Sequence, residues 1–260
     1  MFEVKKPSSS IEKLAGQVKR QRKMERVIPA FIAVVLILLI LIYVISVLFN
    51  RYGSFTIKVE DFGNNDYALA LSENDEFLNS SSRLNAKEIR DATCITYTNL
   101  PDNLNDVNGS HNGDNYLAYT FYLKNAGKKV CTYNYSLIIT RATVNIDAAV
   151  RVRVYYNENY FTSSTGETNY SGEYIDYAKP KTGSNGEVEI NPDNRPLTNF
   201  YSNSIITQKN IGNFYPGDIA KITVVIWLEG EDPDCNDDIL GGQFKTDMVF
   251  KVLGAEDEKN

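Results

Sequence analysis

Polar and apolar residues form two kinds of pattern in this chain: one long apolar run near the start and short alternating stretches after it. The run extends from Val27 to Phe49, and its 23 residues include no charge. As a helix it would be roughly 35 Å long, enough to cross a hydrocarbon core of about 30 Å. The apolar region of a cleaved signal peptide is shorter, about 7 to 15 residues. The run therefore predicts an uncleaved transmembrane signal-anchor helix at residues 27–49, in preference to a cleaved signal peptide or a buried core helix.

After this run, apolar residues recur at every second position, which is typical of half-buried β-strands. In "AVRVRVY" the side chains of Val150, Val152 and Val154 point to one face, and those of Arg151 and Arg153 point to the other. The same alternation marks "GSFTIKVE", "NYLAYTFYLKNAG", "YNYSLIIT", "IAKITVVIWLE" and "QFKTDMVFKVL". Weaker strands are predicted at Tyr67–Leu71, Ala92–Thr98, Tyr174–Tyr177 and Ser204–Thr207, and a short helix is predicted at Asn85–Ala92.

About ten short strands, separated by Asn, Gly, Asp and Pro, indicate an all-β fold of the antiparallel β-sandwich class. No Gly/Ser-rich or Pro-rich linker divides the sequence after the apolar run, so we expect one β-sandwich domain at residues 50–255 and a disordered tail at residues 256–260. Aromatic side chains are expected to serve mainly in the core and in cross-strand pairs. The residues concerned are Tyr116, Tyr119, Phe121, Tyr122, Tyr133 and Tyr135.

Charge is distributed unevenly, with a basic tail before the apolar run and an acidic domain after it. Residues 1–26 carry eight Lys and Arg against three Glu, a net charge of +5 within a whole-chain charge of -6. By the positive-inside rule this tail lies in the cytoplasm and the β-domain lies outside the cell. By difference the rest of the chain is at about -11, which repels phosphate backbones, so no nucleic-acid partner is expected. The predicted location is the cell membrane, with a single pass and an extracellular domain.

Three cysteines follow the apolar run, so export would allow one disulfide and leave one thiol. Cys94 and Cys131 both lie in strand-like sequence, whereas Cys235 lies in an acidic loop. Of the three pairings we expect Cys94 with Cys131, and three free thiols remain the alternative.

The stretch "WLEGEDPDCNDDILGG", residues 227–242, concentrates six carboxylates between two apolar strands. Oxygen-bearing side chains stand at alternate positions in it, at Asp232, Asp234, Asn236 and Asp238. Calcium binds about six to eight oxygens, and its loops supply them in this spacing, so a weak extracellular calcium site is one interpretation. The stretch is not an EF-hand, because Asp237 and Gln243 stand where that loop has its Gly and its Glu. The other interpretation is a solvated connection between two strands, in which Glu229 is a candidate partner for an arginine.

The sequence shows no catalytic motif, and we predict no catalytic residue. The only histidine, His111, lies in the polar stretch "NLPDNLNDVNGSHNGDNY" and is expected to be a loop residue. One histidine cannot form an H-E-x-x-H zinc site, and neither a C-x-x-C pair nor a phosphate-binding glycine loop is present. The carboxylate pair of a glycoside hydrolase is placed by the fold rather than by sequence spacing, so an extracellular hydrolase that uses paired carboxylates stays open as an alternative function.

Four stretches resemble a broad group of exported Gram-positive β-sandwich proteins: "YLAYTFYLKNAG", "VCTYNYSLIIT", "DAAVRVRVYYN" and "ITVVIWLEGEDPDCNDDILGGQFKTDMVF". In organisation, residues 93–252 look similar to the TasA/camelysin type of surface and biofilm-matrix proteins. The resemblance implies a jelly-roll-like domain and assembly by strand exchange between subunits. It carries over no catalytic residue, because zinc ligands for the metallopeptidase activity attributed to camelysin are not visible here. The permanent anchor also differs from the cleavable signal peptide of that type.

Together these features favour a membrane-anchored cell-surface β-sandwich that acts as a structural or protein-interaction module. Its contacts would be made by a calcium-stabilised loop, or by sheet edges that pair with a partner protein or with a second copy. Besides the hydrolase, one further alternative is a bitopic accessory subunit of a membrane complex, in which the helix and the basic tail carry the function.

Overall fold

The computed structural model describes residues 27–29, 31–44, 55–60, 66–180 and 197–254. Its helix α1 (Val27–Val44) is long and apolar enough to cross a membrane, although a signal sequence near the N-terminus would meet the same description. The chain divides into two compact units, Met1–Tyr52 and Gly53–Asn260. Three stretches with predictions of their own lie outside the described residues: the basic tail at 1–26, the end of the apolar run at 45–49 and the tail at 256–260.

The unit Gly53–Asn260 is called the β-domain below. Its described residues form thirteen strands. They are β1 (Phe55–Glu60), β2 (Leu69–Ser72), β3 (Arg83–Asn85), β4 (Gly109–Ser110), β5 (Tyr116–Asn125), β6 (Cys131–Ala142), β7 (Val150–Thr162), β8 (Glu167–Thr168), β9 (Tyr174–Ala178), β10 (Thr198–Asn199), β11 (Ile205–Phe214), β12 (Ile219–Leu228) and β13 (Phe244–Gly254). Short 3-10 helices span Tyr97–Asn99, Leu104–Asp106, Ile146–Ala148 and Asp237–Ile239.

The strands form two sheets. One has five strands in the order β11-β6-β13-β1-β3. The other has eight, of which six follow the order β10-β9-β7-β12-β5-β2, while β4 pairs with β5 and β8 pairs with β7. Most neighbours are antiparallel, as predicted, including the long ladders of β12 with β5 and β7. However, β1 is parallel to β13 and β9 is parallel to β10, so both sheets are mixed and the prediction of a purely antiparallel fold is wrong.

The parallel pair of β1 and β13 joins the two ends of the β-domain. Phe55 lies opposite Thr246, and the register continues to Glu60 opposite Lys251. Parallel neighbours cannot be connected by a tight turn, so they are usually far apart in sequence. Alternation within one strand contains no information about the direction of its neighbour, and for this reason the sequence pattern did not predict the pair.

One hydrophobic core connects the two sheets. The rings of Phe250 in β13 and Phe121 in β5 meet edge to face, with centroids 6.0 Å apart. The buried cluster includes the predicted inward residues Val150, Val152 and Val154. Five of the six aromatic residues predicted to serve the core are no more than 5% exposed, namely Tyr119, Phe121, Tyr122, Tyr133 and Tyr135, and Tyr116 is half-buried. Burial of a large apolar side chain contributes about 1.5–3 kcal/mol, so these aromatic residues are a main source of the domain's stability.

Residues 86–108 are called the covering segment below. Ala86 and Ile89 at its start pack against the main core, and its later part buries the opposite face of the eight-stranded sheet. Its Leu100 and Leu104 belong to a second apolar cluster with Ala118 of β5 and Tyr155 of β7. These sheet residues alternate with members of the main core, so the central strands of this sheet are buried on both faces.

Local patterns within the covering segment were misleading. The helix predicted at Asn85–Ala92 is not formed. The strand predicted at Ala92–Thr98 contributes only an isolated bridge from Ile95 to Glu229. The apolar residues of this segment contact the sheet at irregular intervals in sequence. Their spacing therefore has the period of neither a helix nor a strand. The other three weak strands correspond to β2, β9 and the start of β11.

Buried tyrosines make the stability of the β-domain sensitive to high pH. The hydroxyl oxygens of Tyr133 and Tyr156 lie 2.7 Å apart. Burial raises the pKa of Tyr156 well above its ordinary value of 10.0, and the negative charge of an ionised Tyr133 would add to this effect. Folding therefore favours the neutral phenol. Its contribution to stability is complete below the unfolded-state pKa and is lost as the pH rises above it.

For Tyr156 alone, we expect the free energy of unfolding to fall by about 1.4 kcal/mol per pH unit above about pH 10. Tyr156→Phe removes the ionisable group, so its loss of stability between about pH 9 and about pH 11 should be smaller than that of the wild type by about 1.4 kcal/mol. Urea unfolding of residues 53–260 at both pH values measures this difference. The hydrogen bond that the variant lacks at both pH values cancels in the comparison. Equal losses in the two proteins would contradict the prediction.

Candidate functional site

The acidic stretch at residues 227–242 runs from the end of β12 to the start of β13 and contains a buried ion pair. Arg151 Nη2 lies 2.5 Å from Asp232 Oδ2, and both side chains are almost fully buried. The other carboxylate oxygen of Asp232 accepts a hydrogen bond of 2.8 Å from the backbone N–H of Asp234. Both oxygens are therefore satisfied within the protein, as a buried carboxylate requires.

The structure does not bring the four residues predicted to bind calcium together as a cation site. These residues are Asp232, Asp234, Asn236 and Asp238. The side-chain oxygen of Asn236 accepts a hydrogen bond of 2.8 Å from the backbone N–H of Asp238 and thereby caps the 3-10 helix Asp237–Ile239. Among the described residues, no three or more His, Cys, Asp and Glu side chains are gathered where they could hold a metal ion. The alternate spacing instead serves the turns of a strand connection.

The disulfide joins Cys94 to Cys235, so the predicted pairing of Cys94 with Cys131 is wrong. The two Cα atoms are 6.4 Å apart, and the bond ties the covering segment to the acidic stretch. Cys131 is a free thiol at the start of β6, where burial raises its pKa to about 11. Its side chain belongs to the core between the sheets, and Cys235 packs against that core. Cys94 lies in the covering segment and is exposed. Strand-like sequence around two cysteines does not reveal whether they are neighbours in space.

Arg153 forms a second buried ion pair on the covered face of the eight-stranded sheet. Its Nε and Nη2 donate to the two carboxylate oxygens of Asp176 on β9, at 2.7 and 2.8 Å. The guanidinium carbon lies 3.8 Å from the centroid of the Tyr174 ring. The predicted orientation of Arg151 and Arg153 away from the valine core is therefore confirmed, but both arginines are buried. The sequence offered no local indication of this, because Asp232 and Asp176 are 81 and 23 residues away from their partners.

Glu229, a predicted partner for an arginine, makes different contacts among those described. It accepts hydrogen bonds from Nε1 of Trp227 at 3.0 Å and from the backbone N–H of Glu231 at 3.3 Å. Glu229, Asp176 and Asp232 are all 6% exposed or less. Because each of these carboxylates is enclosed and hydrogen-bonded within the domain, the geometry supports structural roles for them.

A cleft of about 560 Å³, called the end cleft below, lies where β12 ends and β13 begins. Part of its lining is apolar and consists of Leu117, Ile146, Ile226, Leu228, Ile239 and Phe244. Cys94 and Cys235 also line it, and Leu240 in its lining is 74% exposed. The described residues that line the cleft include two carboxylates, Asp91 and Asp237, and no histidine, lysine or arginine. Most of the lining is apolar, which suits the cleft to holding an apolar group.

Within the described part of the chain, a second exposed surface is the outer edge of β11, the last strand of the five-stranded sheet. β11 has ten residues, whereas β3, β2 and β10, at the other ends of the two sheet orders, have three, four and two. Four of its residues are exposed, namely Lys209, Asn210, Gly212 and Asn213. Lys209 Nζ lies 3.4 Å from Glu158 Oε2. An open edge presents a row of backbone donors and acceptors, and a charged side chain on it limits unselective pairing.

His111 lies in a loop, as predicted. Its Nδ1 and Nε2 are each 2.9 Å from a backbone carbonyl oxygen, that of Gly109 and that of Leu104 respectively. The ring thus ties the 3-10 helix Leu104–Asp106 to β4. Both nitrogens are used in contacts with the backbone, which indicates a structural role for this histidine.

Comparisons with known proteins identify no relative. The chain matches no protein-family model, no curated protein and no solved structure. These results bear neither way on the resemblance to the TasA/camelysin type, which stays a prediction. The function of the chain is therefore inferred from its own residues.

Proposed function

We propose that this chain is a single-pass membrane protein that displays an acidic β-sandwich outside the cell and works as a structural or protein-interaction module. The observation that carries the proposal is the long open edge of β11. The partner that we propose for this edge is the β11 strand of a second copy, which would extend the five-stranded sheet across two chains.

Helix α1 supports the membrane assignment. It is apolar throughout its described residues, and the basic segment before it has the charge expected of a cytoplasmic flank. The disulfide between Cys94 and Cys235 fits an oxidising compartment outside the cytoplasm. These two features agree with an N-terminus inside the cell and a β-domain outside it.

The sandwich assignment is supported by the core that the two sheets share. Sheets that pack face to face place alternate residues in a common interior, as Val152 in β7 and Phe250 in β13 are placed here. The buried carboxylates Asp232, Asp176 and Glu229 are held by arginine, tryptophan and backbone donors, which favours a structural module over a hydrolase.

Strand addition is the contact mode that the edge of β11 favours. Its central part, from Thr207 to Ile211, pairs with β6 in regular register, and irregularities occur only towards its two ends. A partner strand could therefore form several consecutive hydrogen bonds along it. The other sheet ends, with two to four residues each, are too short for this.

Two adjacent proline substitutions test this proposal, because consecutive residues of a strand point their N–H groups to opposite sides. The two variants are Lys209→Pro and Asn210→Pro. One of them removes an N–H that faces β6 and should destabilise the domain. The other removes an outward N–H and should leave the fold intact. We expect sedimentation velocity of the detergent-solubilised full chain to show association in the wild type, and a monomer in the proline variant that keeps its melting temperature.

The destabilised proline variant serves as the matched control for loss of fold. A stable variant that associates as strongly as the wild type would show that the edge of β11 is not the contact. A wild-type chain that stays monomeric up to high concentration would rule out self-association through this edge.

A further inference from the structure

Lys221 on β12 places an amine inside the covered face of the eight-stranded sheet. The residue is 6% exposed, and its Nζ donates a hydrogen bond of 2.6 Å to the backbone oxygen of Asn105. Three tyrosine rings surround the amine, with centroids at 5.0 Å for Tyr170, 5.7 Å for Tyr160 and 6.0 Å for Tyr122. Burial lowers the pKa of Lys221, while the nearby charges of Asp106 and Asp75 act in the opposite direction. A desolvated amine is more often in the unprotonated form, which is the form that attacks carbonyl carbons.

The side-chain amide of Asn105 is also enclosed, and groups suited to amide exchange contact both of its ends. Asn105 is 4% exposed. Its Oδ1 accepts a hydrogen bond of 2.8 Å from the Thr223 hydroxyl, which would stabilise negative charge that develops on this oxygen. Its Nδ2 donates hydrogen bonds of 3.2 Å to the Tyr170 hydroxyl and to the backbone oxygen of Ser171. The Tyr170 hydroxyl in turn donates to Asp106 Oδ1 at 2.6 Å. Once Cγ becomes tetrahedral, Nδ2 gains a basic lone pair that can accept the Tyr170 proton, and Asp106 can return a proton to that hydroxyl.

We propose that Lys221 and Asn105 react to form an intramolecular isopeptide bond. The unprotonated Nζ attacks Cγ of Asn105, so that the Nζ–Cγ bond forms and the Cγ–Nδ2 bond breaks. In the proposed step the carboxylate of Asp106, whose charge acts on Lys221, takes up the proton that Nζ loses. The Tyr170 hydroxyl gives its proton to Nδ2 and regains one from Asp106, and Nδ2 leaves as ammonia. The step consumes no oxidant and no cofactor, and the chain becomes lighter by one ammonia, about 17 Da. Tyr170 is 55% exposed, so the ammonia has a short route to solvent.

Before the reaction, a hydrogen bond already holds the amine of Lys221 against Asn105, the residue with which it would react. The backbone carbonyl that accepts from Nζ belongs to Asn105 itself, and its carbon is three bonds from Cγ. The motion that the proposed step requires is a rotation of the Lys221 side chain towards Cγ, while Thr223 and Tyr170 hold the Asn105 amide. The new bond would join two residues 116 positions apart and would attach the covering segment covalently to the centre of the sheet. A domain exposed outside the cell would thereby resist local opening and proteolysis on this face.

Peptide mass mapping of the purified full chain tests the proposal. We expect a protease digest to contain one linked species that includes the peptide of Asn105 and the peptide of Lys221, lighter than their sum by about 17 Da. Lys221→Arg keeps a cation on the strand but removes the reactive amine, so both peptides should appear separately at full mass. Lys124→Arg is the matched control, because this lysine also packs over an aromatic ring, that of Phe77 at 5.4 Å, and the linked species should persist in it.

Two results would overturn the proposal. The first is a wild-type digest in which both peptides are separate and have their full sequence masses. The second is a loss of about 17 Da confined to the Asn105 peptide and retained in Lys221→Arg, which would indicate a cyclic imide of the asparagine alone. The wild-type digest decides between these outcomes and the cross-link, so the test does not depend on whether any variant folds.

Discussion

Replacing Asp176 with alanine is expected to lower the free energy of unfolding of the β-domain by about 3–5 kcal/mol, because it leaves an uncompensated charge in the interior. Arg153 would lose two acceptors, at 2.7 and 2.8 Å, at a site where the paired side chains are 7% and 4% exposed. Burial tends to lower the pKa of Arg153, but the hydrogen bonds and the charge of Asp176 outweigh it, and the pKa is raised. An arginine cannot avoid the penalty by losing its proton. The variant must therefore bury an unpaired cation or open the covering segment to water.

Urea unfolding of residues 53–260 measures this loss, and an exposed ion pair of the same domain provides the control. Lys58 Nζ lies 3.4 Å from Asp247 Oδ2, with side chains 42% and 24% exposed. Such pairs contribute about 0–1 kcal/mol, so Asp247→Ala should have a small effect. If Asp176→Ala destabilised the domain no more than Asp247→Ala, the Arg153 face would have to be hydrated in solution.

A double variant separates the loss of the pair from the loss of a buried partner. Replacing a whole buried ion pair with apolar residues is often neutral or stabilising, whereas removing one partner is not. Arg153→Met combined with Asp176→Leu should therefore be more stable than Asp176→Ala alone, with the methionine in the space beside Tyr174. A double variant as unstable as the single one would mean that the pair orders β9 in a way that packing cannot replace.

The ion pairs illustrate what a single-sequence pattern can predict in this fold. Alternation in β7 correctly assigned Val150, Val152 and Val154 to the core and the arginines between them to the other face. The alternation could not predict that this other face is covered. An arginine between two valines gives the same sequence pattern whether its face contacts water or other parts of the protein. Covering depends on Leu100, Leu104 and their neighbours in a segment that has no regular period.

The errors in predicting the contacts of the acidic stretch have the same physical origin. Asp232 fitted a calcium loop because its neighbours in sequence carry oxygens at the right spacing, yet its partner in space is Arg151. Cys235 was left unpaired because it lies in a loop, yet that loop meets the covering segment at Cys94. Long-range contacts decide both outcomes. The individual strands were easier to predict because hydrophobic alternation is a local property.

Removal of the Cys94–Cys235 disulfide is expected to lower the free energy of unfolding by about 2–5 kcal/mol. The two cysteines are 141 positions apart. In the chain-entropy model, closure of a loop of this size reduces the freedom of the unfolded chain by about 5 kcal/mol at 25 °C, and strain or residual structure usually makes the measured value smaller. The bond also fixes one wall of the end cleft, so its loss should loosen residues 89–94 against residues 235–242.

Urea unfolding of the Cys94→Ala/Cys235→Ala double variant measures the effect, and a reductant supplies the control. Reduction of the wild type should reproduce the double variant, whereas the same reductant should leave the double variant unchanged, because its remaining thiol, Cys131, is already reduced. A double variant as stable as the wild type would show that the covering segment is held by packing alone.

The same disulfide reports the compartment of the β-domain, because such bonds persist outside the reducing cytoplasm. When cells are quenched with acid and their proteins are denatured and alkylated, Cys131 should react at once, and Cys94 and Cys235 only after reduction. Immediate reaction of all three thiols would place the domain in a reducing compartment and contradict its proposed extracellular orientation. Protection of Cys131 together with Cys94 would instead contradict the pairing of Cys94 with Cys235, and with it the position of Cys131 as a free thiol in the core. A single alkylation experiment therefore tests the membrane topology and the fold by different outcomes.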